Sequence, residues 1–78
     1  MSYRADITNP ASLGIALQQA RMASGMSQRQ LAERLNTSQR YIWELESGKD
    51  SAVLIRILSV LRETQASMTI EIPEGEDG

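Results

Sequence analysis

From Ser27 to Lys49 the chain reads SQRQLAERLNTSQRYIWELESGK, and this stretch restricts the fold more than any other. It holds two short amphipathic segments separated by one breaker. The first opens with a capping box: Ser27 caps the helix, and the Gln30 side chain can reach back to it. Leu31, Ala32 and Leu35 then form an inner face. Asn36 breaks the segment, because Asn tolerates the left-handed backbone that a tight turn needs. The second segment starts at Thr37 or Ser38, carries Ile42 and Leu45 inward and closes at Gly48.

Two further helices flank this pair. The first begins at "NPAS": Asn9 can cap, and Pro10 suits the first helical position. Leu13, Ala16, Leu17, Ala20 and Ala23 follow the spacing of a buried stripe, and Gly25 ends it. Gly14 inside this helix costs ~1 kcal/mol against Ala, and only a close contact would justify it. The last helix, about Ser51 to Arg62, is SAVLIRILSVLR. Its apolar residues cover more than the one face a surface helix needs. It is therefore either a central core helix or one with a second face buried in a subunit interface.

Residues 67–72, SMTIEI, change the period from 3.6 to 2, with Met68, Ile70 and Ile72 on one side. This predicts a strand. As the single strand expected in the chain it has no internal partner for its backbone groups. Pairing with the same strand of a second copy is the simplest solution. The expected organisation is one domain over residues 1–72, all-α with one C-terminal strand, followed by a disordered acidic tail, PEGEDG, at 73–78.

The 78 residues allow one thin core, marginal alone, and no cysteine is present to staple it. With neither Cys nor His, most metal sites, thiol chemistry and imidazole bases are excluded, and no cofactor is expected. The remaining Ser, Asp, Glu, Lys and Tyr form no catalytic constellation, so no enzyme is expected. No apolar run approaches the ~20 residues of a membrane span, and MSYRADITNP lacks a signal-peptide layout; a cytoplasmic location is the expectation. The net charge is −2, but it is divided. Residues 1–49 carry six basic and four acidic groups, and residues 50–78 carry two basic and six acidic. The two parts therefore face different surroundings.

Two short helices joined by a three- or four-residue turn form a helix-turn-helix. Its second helix enters the major groove of double-stranded DNA, with N-terminal residues against base edges. That accounts for the polar first turn Ser38-Gln39-Arg40. Exposed N–H groups there favour phosphate, and Gln and Arg reach adenine and guanine edges with paired hydrogen bonds. Gln28 brings its amide near the same backbone.

The segment Gln28 to Ser47 resembles the helix-turn-helix of the Cro/repressor-type (XRE) family. That pattern wants apolar residues at its fourth, eighth, fifteenth and eighteenth places and a small one at the fifth. Leu31, Leu35, Ile42, Leu45 and Ala32 supply them. The closing E-x-G-K also fits, and Asn36 stands where Gly is commoner. The resemblance implies a four-helix, lambda-repressor-like body over residues 12–62. By position it implies base or nearby phosphate contacts from Gln28, Ser38, Gln39, Arg40 and Glu44, and DNA-backbone contacts from Tyr41 and Lys49. Arg29 and Arg34 would add unspecific charge. Trp43, next to Ile42, is expected to be a half-buried structural residue.

A four-helix body followed directly by ASMTIEI, and the N-terminal TNPASLGIAL, resemble HipB-like antitoxins. This implies a homodimer joined through Met68, Ile70 and Ile72 that binds a palindromic operator, represses its own operon and holds a HipA-like serine/threonine kinase toxin. Two other readings stand beside it: a stand-alone regulator of the same family without a toxin, and an adaptor that binds only protein.

Overall fold

The computed structural model describes residues 2–49 and 51–74. In chain order they form β1 (Ser2–Ile7), α1 (Pro10–Ala23), α2 (Gln28–Arg34), α3 (Gln39–Glu46), α4 (Ala52–Glu63) and β2 (Met68–Pro73).

The helix ends follow the sequence signals. Asn9 Oδ1 accepts from the Ser12 amide at 2.7 Å and the Ser12 hydroxyl accepts from the Asn9 amide at 3.1 Å, a reciprocal cap for α1. Ser27 and Gln30 close the same kind of box at α2. Ser38 and Ser51 cap α3 and α4 through their hydroxyls. Asn36 takes φ +56°, so α2 does stop in a left-handed turn there. Gln65 plays the same part after α4 at φ +59°, and the Ala66 amide donates back to the Leu61 carbonyl at 2.8 Å.

The strand expectation needs correcting. β2 pairs antiparallel with β1 of the same chain, from Ser2 opposite Pro73 to Ile7 opposite Met68. The residues SYRADI alternate Tyr3, Ala5 and Ile7 against Arg4 and Asp6, a period of 2 that marks a strand as SMTIEI does. The backbone of β2 is thus partnered internally, and the argument that it must find a second copy falls. Met68, Ile70 and Ile72, expected at a dimer contact, turn with Ile7 and Ala5 onto the chain's own core. Ile72 is wholly buried and has no surface left for another molecule. Strand β2 reaches Pro73, the first residue of the expected tail, while residues 75–78 of that tail lie outside the described residues.

The core has two parts, with α1 between them. On one side Ala16 meets Ile7, Leu58 and Ile72, with Leu13, Leu54, Leu61 and Met68 packed around. On the other side Ala32 and Ile42 are buried within the α1–α2–α3 unit. Full burial of Ile42 and of Ile72 is worth ~1.5–3 kcal/mol each. Helix α4 is not a central core helix. It gives Leu54, Leu58 and Leu61 to the core, while Val53, Ile57 and Val60 remain exposed.

Gly14 explains how α3 is seated. A Cβ there would lie 2.6 Å from the Glu46 carbonyl oxygen and 2.7 Å from the Gly48 amide nitrogen. The α3 C-terminus therefore rests on the bare backbone of α1. Gly48 combines φ +75° with an equally close approach to Ala11, so a side chain is excluded there on both counts.

Candidate nucleic-acid interface

The expected contact residues cluster around α3. At its start the Ser38 hydroxyl accepts from the Tyr41 amide at 3.1 Å, which leaves the Gln39 and Arg40 side chains projecting into solvent. The Arg40 side chain is 85% exposed, and its Nε lies 3.5 Å from Glu44 Oε1. That contact is long for a charged hydrogen bond, so the guanidinium is steered along the helix without being locked. It also gives the Glu44 carboxylate a cation of its own, which offsets the repulsion Glu44 would exert on phosphate. Tyr41, Glu44 and Lys49 line one groove with Pro10 and Ser51, where the end of α3 meets the start of α1. Ser38, Gln39, Arg40, Tyr41, Glu44 and Lys49 thus lie on or just beyond one short helix.

Gln28 stands apart. It is half-buried, and its side-chain amide donates to Glu46 Oε1 at 3.1 Å. The structure therefore gives it a role in holding α3. Arg29 pairs loosely with Glu33, N to O 3.6 Å, on the exposed face of α2. Trp43 departs from expectation: it is 58% exposed and lies on the outer surface of α3.

What sequence reasoning missed is the clamp behind α3. Arg21 of α1 grips Glu46 with both ends of its fork, Nε to Oε2 at 2.6 Å and Nη2 to Oε1 at 3.1 Å, and its Nη1 donates to the Met26 carbonyl at 2.9 Å. The two side chains are only 11% and 5% exposed. Burial pushes the Glu46 carboxyl up, but the bonds from Arg21 and Gln28 outweigh it and hold the group below its usual value. The hydrogen bond to Glu46 likewise raises Arg21, against the opposing effect of burial. The signal was available: Glu46 follows Ile42 by four residues, so it shares the inner face, and an acid placed there demands a cation. The clamp fixes the angle at which α3 leaves the body, and so the direction in which Gln39 and Arg40 point.

Among the described residues no group of acidic side chains is arranged to hold a metal ion, and no helix is long and apolar enough to cross a membrane. No curated protein and no solved structure matches the chain significantly. A family model described as a helix-turn-helix domain matches residues 12–68, well over half of the chain. With a capped, polar-tipped α3 set against α2 by a left-handed Asn36, the chain belongs to the helix-turn-helix domain family, a membership that supports DNA binding of the Cro/repressor type.

Proposed function

We propose that this chain is a dimeric, sequence-specific transcriptional repressor that binds a palindromic operator, and that it serves as the antitoxin of a HipA/HipB-like pair by holding a serine/threonine kinase toxin. The observation that carries the DNA-binding part is the presentation of α3. Its first turn presents the exposed polar side chains of Gln39 and Arg40, while its last turn is fastened to α1 by Arg21–Glu46 and by the bare backbone at Gly14. A helix fastened from behind with an exposed polar tip suits insertion into a major groove. In the proposed complex Gln39, Arg40 and Glu44 meet base edges, while Ser38, Tyr41 and Lys49 meet phosphates. Gln28 reaches the same backbone from α2 while supporting Glu46. Two such helices, one per protomer, would lie about 34 Å apart in successive grooves.

The toxin partner is supported by the resemblance of TNPASLGIAL and ASMTIEI to HipB-like antitoxins. The test is purification with the adjacent genes co-expressed, followed by titration with the protein's own upstream DNA at two salt concentrations. A co-purifying kinase with salt-steep, sequence-selective binding supports the whole proposal. Selective binding with no partner leaves a stand-alone regulator. Absence of selective binding refutes the repressor reading and favours a protein-binding adaptor.

A further inference from the structure

We infer that the outer stripe of α4, formed by Val53, Ile57 and Val60, carries at its Ile57–Val60 end the surface on which a second copy of this chain seats, the two α4 helices running antiparallel about a two-fold axis between Ser59 and Val60. The inference rests on the dimeric reading above and names the face that the dimer uses.

The three side chains recur at i, i+4 and i+7 and so form one row on the helix. They are 70%, 42% and 54% exposed. Helix α4 already meets the core of its own chain through Leu54, Leu58 and Leu61, and the outer row lies outside that core. Such a row on a lone small domain calls for a partner.

Charge identifies the occupant and its direction. Arg56 and Glu63 are exposed and flank the apolar row on the same side, seven residues apart. That is about 10 Å along the helix, too far for them to pair within one chain. In an antiparallel pair centred between Ser59 and Val60, Arg56 comes opposite Glu63 of the partner subunit and Glu63 opposite Arg56 of the partner subunit. In a parallel pair the two-fold rotation carries this flank to the opposite side of the seam, so Arg56 and Glu63 could not meet their counterparts. The α4 face is thus complementary to itself under a two-fold rotation, as an isologous contact requires.

The test is sedimentation equilibrium of the full chain across a range of concentrations, with far-UV circular dichroism to verify folding. Ile57 sits on the surface, so Ile57→Asp should keep its helix content and sediment as a monomer. Arg56→Glu and Glu63→Arg should each weaken the dimer roughly tenfold, because two symmetric pairs turn repulsive. The double variant carrying both changes should recover most of the wild-type affinity. A dimer that survives Ile57→Asp overturns the α4 contact while the dimeric repressor reading stands. Single charge reversals without effect overturn the antiparallel register. A wild-type chain that is monomeric at high concentration overturns the dimeric reading and this inference together.

Discussion

Removing the carboxylate of Glu46 tests whether the clamp behind α3 holds the domain as its geometry says. In Glu46→Ala, Arg21 would keep only its bond to the Met26 carbonyl while remaining largely out of water. Breaking one half of a buried ion pair costs ~3–5 kcal/mol, mostly from the stranded charge. A 78-residue domain has about 4–12 kcal/mol in total, so the loss should be severe. Replacing both partners with apolar residues, Arg21→Met with Glu46→Leu, removes the charge as well and should return most of the stability. The assay is urea unfolding followed by far-UV circular dichroism at one fixed chain concentration. A single-variant loss below ~1 kcal/mol, or a double variant as poor as the single, would refute the reasoning, since ~3–5 kcal/mol is expected. The pH dependence supplies a second check. The folded pKa of Glu46 is depressed, so the unfolded chain takes up the proton first as acid is added. The contribution of the pair is therefore present in full above the ordinary Glu value of about 4.3 and lost as pH falls through the lower folded value. Glu46→Ala should lack this part of the acid limb.

Gly14→Ala gains ~1 kcal/mol of helix propensity but drives a methyl group into the Glu46 and Gly48 backbone. Overpacking of ~1–3 kcal/mol should win, giving a lower melting temperature and weaker DNA binding; a raised melting temperature would contradict the close approach. Arg40→Ala should relax base preference and cost ~1–3 kcal/mol of affinity, read from a panel of operator variants, and an unchanged preference would remove Arg40 from base readout. Lys49→Ala should instead weaken all sequences alike and lower the salt slope by about one, which a selective loss would contradict. Ile70→Asp puts a charge among Ala5, Met68 and the core. It should destabilise the fold itself in a melting experiment, and a variant with native stability would show that β2 is not part of the monomer's core.

The local signals in this chain were strong enough to read one by one. Ser27, Ser38, Asn9 and Ser51 can satisfy orphan helix N–H groups within three residues of themselves, so their caps are written in the sequence. Asn36 and Gly48 mark left-handed turns for the same local reason. The helix-turn-helix follows, because it is two such helices and one such turn in immediate succession. The exposed Gln39 and Arg40 were legible too, as polar residues at the tip of a helix whose inner face is already filled by Ile42.

Tertiary structure decided what depends on residues far apart in the chain. The pairing of Ser2–Ile7 with Met68–Pro73 joins the two ends of the domain, and alternation tells only that a segment is a strand, not which partner it takes. Arg21 meets Glu46 across 25 residues, so the inner-face acid calls for a cation without saying which one. Gly14 is a liability in the sequence of α1 and becomes a requirement only when α3 lies on it. The excess of apolar residues in α4 pointed to a second face, but only the packed chain shows which row its own core takes and which it leaves outside. Caps and turns are settled by neighbours in sequence; strand partners, ion pairs across helices and the residual apolar surface are settled by the packing of the whole chain.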